Sequence, residues 1–462
     1  MLLKIKKYFT CAALIGITAF FGGCGGLEDP AESLIKWKIE GRYDLKYMTK
    51  QGVTYSVTSP DSVNFSLNRI SPTGEVDWVK NLDLINTKDE VGLATLYLQT
   101  GDDGTNRLVV YTSDFKPSTT LKPASTDYHI LVLDENGDVR NEILTEGETF
   151  PGGNYNYSID TEIPGLIIRY KNHDLELISE SSTITVAMPV SVSDYSIRSV
   201  YHTVGGVVAF MDHDSVDTLA DKIAYISLSG EIKWIEDAPE MVTVGSQPQK
   251  STYLRTKVEN GICEYTLQPF DDTGLQTLST FSCPESQGYT FSEIEIMGDD
   301  IHFAKIFEGL NYTRRDLNTG EIQASYENPV DTSGAHVSSA NIGAKYRISE
   351  EGQISLPYLV TTEHDAVDLI LNAGVHQSYR SGVVILNNDM SIFAEIEFPE
   401  YHVYSWLFRC YSWCSDNGDV RSGYDLQDIK IVDDEIYASL RYKEYDKVSG
   451  TYTYYYYLAA LN

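Results

Sequence analysis

Two short acidic stretches hold the residues best suited to metal chemistry. "MDHDSVD" (211–217) and "TEHDAVD" (362–368) share the pattern acid, His, Asp, any residue, Val, Asp. Carboxylate oxygens and an imidazole nitrogen so closely spaced can hold a divalent ion. The candidate ligands are Asp212, His213, Asp214 and Asp217 in the first copy, and Glu363, His364, Asp365 and Asp368 in the second. Each copy follows an apolar run, which places it at the start of a loop. The plain alternative is two polar loops that share a repeat ancestry. Ligands must approach within about 2–2.6 Å of one ion, so copies on separate units make separate sites. A divalent cation such as calcium is the one cofactor this pattern admits. "DENGD" (134–138) imitates the start of a calcium loop but lacks the later Glu, and it reads as a hairpin turn.

Six cysteines are present. Cys11 lies in an N-terminal apolar run, and Cys24 follows that run. The remaining Cys263, Cys283, Cys410 and Cys414 are an even set, as expected for two disulfides in an exported chain. Cys263 and Cys283 are equidistant from Thr273 in the turn "DDTG", so they face each other across one hairpin. The nine histidines are scattered, and no Cys-x-x-Cys set or phosphate-cradling glycine loop appears.

The stretch "YHVYSWLFRCYSWCSDNGDVRSGYDL" (401–426) concentrates Tyr404, Trp406, Phe408, Tyr411 and Trp413, with Tyr401 at its start. Trp and Tyr on an exposed loop dominate binding hot spots, so this stretch is the candidate surface for a protein or glycan partner. Its alternating aromatics equally suit a strand buried against a neighbour.

The N-terminus supplies an address. Lys4, Lys6 and Lys7 precede an apolar run from Tyr8 to Phe21, too short for a membrane span. The run ends in Phe21-Gly22-Gly23-Cys24, which resembles a bacterial lipoprotein signal with Cys24 as the lipidated residue. The resemblance implies a signal peptide over 1–23, a tether over 24–32 and a palmitate-bearing anchor. Gly25, where an Asp would favour retention at the inner membrane, points to the outer membrane. The formal charge is −32, and losing three lysines makes the mature chain more acidic still. That field repels nucleic acid and anionic lipid.

These features need a scaffold, and the chain repeats one. A β-rich run, a turn and a second run recur at "SPTG" (71–74), "DENG" (134–137), "SLSG" (227–230), "DDTG" (271–274) and "LNTG" (317–320), with looser versions at "SESS" (179–182) and "LNND" (386–389). A glycine ending a three-residue hairpin loop supplies the left-handed position of a bulged turn. Another turn and strand lie upstream in most units, giving four antiparallel strands per unit. The predicted fold is all-β: a single β-propeller over 33–462, with eight four-stranded blades, or seven if "SESS" marks an insertion. The last unit ends in "LAALN" without its turn and fourth strand. The strand at 33–39, which has no hairpin partner of its own, supplies it and closes the ring.

Ile35-Lys36-Trp37, Val76-Asp77-Trp78 and Ile232-Lys233-Trp234 occupy one repeat position. With the preceding turns they resemble the repeats of pyrroloquinoline-quinone-type propellers, and of the propeller lipoprotein in the outer-membrane β-barrel assembly machine. The resemblance implies architecture rather than activity. No adjacent cysteine pair is present, and five Trp residues are few for a quinone-dependent dehydrogenase. The expected function is a non-catalytic binding or scaffold module facing the cell envelope, a monomer anchored by lipid. Two other classes stay open: a polysaccharide lyase or glycosidase on a propeller, and an outer-membrane assembly factor.

Overall fold

Strands buried on both faces read as continuous apolar runs, and edge strands alternate. Both patterns appear in this chain. "GVVAFM" within Gly206–His213 is buried throughout, whereas "IKWKIE" of Ile35–Glu40 alternates half-buried with exposed. A computed structural model describes residues 32–58, 64–82, 95–101, 104–116, 125–149, 156–159, 163–203, 205–213, 221–238, 247–249, 252–259, 262–276, 279–282, 293–297, 299–306, 310–328, 336–340, 346–349, 351–364, 376–404, 422–446 and 451–462. Among the described residues the only helices are three single-turn 3-10 segments, and no helix is long and apolar enough to cross a membrane.

Eight antiparallel sheets follow one another along the chain, in the pattern of β-propeller blades. The second, third, fourth and sixth are simple four-strand meanders. The first has three strands, with an isolated bridge from Met48 to Thr54 where a further strand would begin. The fifth sheet splits its fourth strand into Gly274–Leu275 and Ser279–Ser282. The seventh splits its first into His336–Ala340 and Arg347–Ile348, and its fourth into Ile392–Glu397 and Tyr401–Tyr404. The "SESS" unit is a full sheet, its turn closed by Ser179 N donating to Ser182 O at 2.8 Å. The count is therefore eight rather than seven.

The hairpin glycines do what the turn requires. Gly74 has φ +83°, Ser71 N donates to Glu75 O at 2.8 Å, and the register shifts by one between Arg69 and Ile70. In "LNND" the left-handed position falls on Met390, at φ +68°. "DDTG" departs from the expected three-residue loop: Asp271 pairs directly with Gly274.

The eighth sheet joins the two ends of the chain. Gly423–Val432, Glu435–Asp446 and Thr451–Leu461 form a meander, and Ile35–Glu40 pairs along the last strand. The register repeats that of the continuous hairpins. Ile226 pairs with Ile232 and Tyr225 with Trp234; likewise Leu461 pairs with Ile35 and Ala460 with Trp37. Asn462 N donates to Leu34 O at 3.0 Å, the bond that Ser71 makes inside its turn. The pairing runs to Glu40, one residue beyond the expected strand, and the 3-10 turn Glu32–Leu34 precedes it.

Consecutive sheets pack through apolar clusters. Tyr55 and Leu67 meet Leu108 between the first and second sheets. Ile429 and Ala438 meet Ile385 between the seventh and eighth. Leu45, Met48 and Ile70 meet Tyr437 and Leu458, which joins the eighth to the first. The repeat Trp residues reinforce these seams. A Cβ on Gly74 would lie 2.7 Å from Cδ2 of Trp37, and one on Gly137 would lie 3.0 Å from Cη2 of Trp78. Each ring thus rests on the turn glycine of the following sheet. Trp234 instead donates its indole N–H to Asp271 O at 2.6 Å, in the turn of the fifth sheet.

Candidate functional site

The antiparallel meanders give each sheet two ends. One carries the hairpins between first and second and between third and fourth strands. The other, the connection end, carries the loops between second and third strands and the crossings to the next sheet. Both acidic loops begin at connection ends, on the fourth and seventh sheets, as their spacing predicts. Asp212 is half-buried beside Arg198, at 3.7 Å, and His213 sits edge-on to Tyr195 with ring centroids 4.9 Å apart. Asp221, where the chain re-enters the sheet, has a carboxyl held above the ordinary range, first by burial and then by Asp212. Asp214 and Asp217 lie outside the described residues. In the second copy, Glu363 pairs with Gln377 and His364 with His376 in backbone register. Asp365 and Asp368 lie outside the described residues. Among the described residues no three metal-ligating side chains converge. Asp134 of "DENGD" caps its hairpin instead, accepting from Asn136 N at 2.9 Å and Asp138 N at 3.0 Å.

Glu264 pairs with Ser282, and Cys263 is the next residue back along the third strand. The hairpin loop is one residue shorter than expected, and a slip before Ser279 restores the register. Cys283, Cys410 and Cys414 lie outside the described residues, as do Cys24, Trp406, Phe408, Tyr411 and Trp413.

The two ends of the aromatic stretch are core rather than surface. Tyr401 is buried, stacks on Tyr379 with centroids 5.3 Å apart, and donates its hydroxyl to Asp425 at 2.6 Å. Tyr404 continues that strand, paired in backbone register with His376. Tyr424 is buried at the other end and donates to Glu32 at 2.7 Å. Tyr401 is covered because its strand turns inward, adding to the third strand of the seventh sheet instead of running as a loop.

That inward turn builds a polar cluster at the connection end of the seventh and eighth sheets. Asp425 is fully buried. Its Oδ1 accepts from Tyr401, and its Oδ2 accepts from Arg441 Nε at 3.0 Å and from Arg441 Nη2. Both oxygens accept hydrogen bonds, so Asp425 ties Tyr401 of the seventh sheet to Arg441 of the eighth. Burial and then Asp425 push the Tyr401 hydroxyl pKa far up. Gly423 makes room: a Cβ there would lie 2.8 Å from the Tyr401 Cβ.

Lys443 is paired across the sheet with Gly423 and is 8% exposed. Its ammonium lies 4.8 Å from the ring centroid of Tyr452, 5.1 Å from Tyr379 and 5.6 Å from Tyr454. Burial lowers its pKa; Asp425 opposes this and Arg441 adds to it. Farther out, Arg441 lies over Tyr454, which is 48% exposed. Arg42 stacks on Tyr456 at 4.5 Å and donates to its hydroxyl at 3.1 Å. The arrangement can bind a ligand that offers negative charge and a flat or CH-rich face. Sequence reasoning passed over these residues, although the alternation of Arg441 and Lys443 opposite the run Tyr452, Tyr454, Tyr456 was a visible signal.

A second feature lies at the opposite end of the same sheets. A cavity of about 280 Å³ is lined by Lys50, Arg347, Ser349, Glu351, Lys430 and Asp433, among others. Arg347 forks onto Asp428 at 3.0 and 2.6 Å, and Lys430 donates to Met48 O at 2.6 Å. Two of the cavity's cations are therefore engaged in tying the seventh, eighth and first sheets together.

No protein-family model matches the sequence, and no curated protein matches it. Among solved structures, the chain is similar to the WD40 domain of SCAP from fission yeast, at 10% identity over 75% of this chain and 90% of that one, TM-score 0.31. It is similar to the β-propeller domain of Cps50 (Swd1) from Myceliophteria thermophila, at 9% identity over 92% and 98%, TM-score 0.32. A third likeness is to an uncharacterised protein from Listeria monocytogenes, at 10% identity over 63% and 84%, TM-score 0.37. At these scores the likenesses add nothing to what the strand pairing shows.

Proposed function

We propose that this chain is a lipid-anchored propeller lipoprotein of the bacterial outer membrane that binds a protein or glycan partner without catalysis. Its eight sheets form a closed ring, completed by the N-terminal strand. The hairpin-like pairing of Ile35–Glu40 with Thr451–Leu461 and the apolar seam between the eighth and first sheets support closure. The signal-like residues ending at Cys24 support the anchor.

The binding reading rests on one observation, the strip of cations and tyrosines at the connection end of the eighth sheet. Arg42, Arg441, Tyr454 and Tyr456 form it, in a chain of net charge −32. Arginine over tyrosine is well suited to partner contacts, being rigid, amphipathic and strong in donors. Asp425, the one buried carboxylate there, accepts from Tyr401 and Arg441 and so fixes the base on which the strip stands. The test is retention of envelope proteins and glycans by the lipidated protein, compared with an Arg42→Ala/Tyr454→Ala double variant of unchanged thermal stability. Loss of a specific bound species in the variant is expected. Identical retention profiles would remove the strip as the binding surface.

A further inference from the structure

We infer that the end of the propeller carrying the hairpins lies on the bilayer that holds its anchor, with a rim of exposed aliphatic side chains against zwitterionic lipid. This rests on the anchored, closed-ring reading above and adds an orientation to it. The tether selects the end. Ile35–Glu40 is the fourth strand of the eighth sheet and begins at the hairpin end, where Ile35 pairs with Leu461. The 3-10 turn Glu32–Leu34 stands there too, so the chain back to Cys24 leaves from that end. From Glu32 to Cys24 it reaches at most about 30 Å, at roughly 3.3–3.6 Å per residue. The other end is farther off. Glu435, ion-paired with Lys36 at 2.8 Å, starts a strand of 12 residues toward the connection end. At roughly 3.3 Å per residue its far end is about 35–40 Å away. A lipid on Cys24 therefore holds the hairpin end to the membrane and turns the strip of cations and tyrosines away from it.

The surface at that end suits lipid. Exposed aliphatic residues scattered singly are ordinary, but here they recur at one repeat position. Val76, Val139, Ile322 and Ile392 open the fourth strands of the first, second, sixth and seventh sheets. They are 47%, 56%, 59% and 53% exposed. Ile35 and Ile232 hold the same position in the eighth and fourth sheets. Leu228, in the turn of the fourth sheet, is exposed at the same end. In a ring these positions share one level, so a flat apolar surface meets all of them at once, whereas a globular partner meets two or three. Charge selects the kind of lipid. Glu75, Asp138, Glu231 and Glu321 each precede one of these residues. Lys80 pairs with Asp138 and Lys233 with Glu231, each at 2.7 Å. An acidic border with local cation partners fits zwitterionic headgroups and repels anionic ones.

The test places the lipidated mature protein in phosphatidylcholine vesicles with brominated acyl chains, which quench nearby indoles. Leu228→Trp reports the hairpin end, and Val190→Trp, at the crossing from the third to the fourth sheet, reports the connection end. Each is read as a difference from the parent emission. Quenching of Leu228→Trp and none of Val190→Trp are expected. Replacing Val76, Val139, Ile322 and Ile392 by Ser in the Leu228→Trp protein should remove that quenching while the lipid still holds the protein on the vesicle. Phosphatidylglycerol in the vesicles should weaken it. Equal quenching at both reporters, or more at Val190→Trp, overturns the orientation. Quenching of Leu228→Trp that survives the four Ser replacements overturns the aliphatic rim. A protein that pairs with a second copy in detergent, and parts on those replacements, assigns the rim to self-association and removes the lipid contact. Mass spectrometry that finds no acyl group on Cys24 removes the anchor reading, and the orientation with it. Acylated protein with no quenching at either reporter leaves the anchor standing and overturns this inference alone.

Discussion

The contact between Trp37 and Gly74 offers a direct test of ring closure. Trp37 belongs to the N-terminal strand and Gly74 to the turn of the first sheet. A Cβ on Gly74 would lie 2.5 Å from Cε3 of Trp37, and Gly74 has φ +83°. Gly74→Ala therefore carries two costs. The left-handed backbone costs about 1–2 kcal/mol for any residue with a Cβ. The collision adds about 1–2 kcal/mol more, typical of overpacking a fitted contact. Trp37→Ala removes a half-buried ring that also meets Tyr437 edge-on at 6.2 Å. We expect about 2 kcal/mol, below the 3–5 typical of a fully buried Trp. The double variant lacks the collision, so the cycle should show a coupling of about 1–2 kcal/mol. Trp78 and Gly137 make the same contact between the first and second sheets, which are contiguous in the chain. Urea unfolding of the domain from residue 33 onward should give similar couplings for the two pairs. If Trp37 and Gly74 add independently, within about 0.5 kcal/mol, while Trp78 and Gly137 couple, the first and last sheets do not dock.

Three further outcomes are expected. His302 is buried, with its Nδ1 2.5 Å from the Tyr312 hydroxyl, and burial and then Arg314 lower its pKa to about 4. The unfolded chain binds a proton that the fold refuses, so stability should fall as pH drops from 6.5 through 4, by up to about 3 kcal/mol; an unchanged slope in His302→Gln would show the imidazole to be charged in the fold. Non-reducing mass mapping should recover Cys263 linked to Cys283, and Cys263→Ser should lower stability by about 3 kcal/mol; two free thiols would exclude the bridge. Lys443→Met should raise stability at neutral pH by about 1 kcal/mol, because apolar volume replaces an ammonium that burial disfavours, and thermal melts that show destabilisation would mean its contacts with the three tyrosine rings outweigh the desolvation.

The repeat was legible because turn chemistry and strand period are local. Gly74, Gly137, Gly230 and Gly320 all take positive φ where the turn motif requires it. The place of Ile35–Glu40 as a fourth strand was legible for the same reason: its "IKW" repeats the strand that follows the turn in "LSGEIKW". For Tyr401 the sequence left exposed loop and buried strand both open, and the structure decides for the strand. Its burial depends on an extra pairing with Tyr379 on a strand more than twenty residues earlier, and on the absent side chain of Gly423 on the next sheet. Asp425 likewise reads as one of 67 acidic residues until Arg441 and Tyr401 are seen around it. Pairwise convergence across sheets leaves no periodic trace, so chemistry placed there is silent in a single sequence.

The location of the cluster carries one more consequence. The eighth sheet is the one sheet assembled from both chain ends, and the cation–tyrosine strip spans that join. Arg42 follows the N-terminal strand by two residues, and Tyr456 lies on the C-terminal strand. Their stacking at 4.5 Å is a contact between termini, as are Gly41 N to Tyr456 O at 2.7 Å and the ion pair of Lys36 with Glu435 at 2.8 Å. Strand addition is strong in backbone hydrogen bonds and weak in chain connectivity: Ile35–Glu40 runs on into the first sheet, and its hold on the third strand of the eighth is pairing and docking. A partner that grips Arg42 and Tyr456 together adds its binding energy to that pairing, because it favours the joined state over the parted one. Ligand binding at this strip should therefore protect the amides of Ile35–Glu40 from hydrogen exchange more than those of any internal fourth strand. Uniform protection across all sheets would mean that the join is already as stable as the rest of the fold, leaving a ligand nothing local to add.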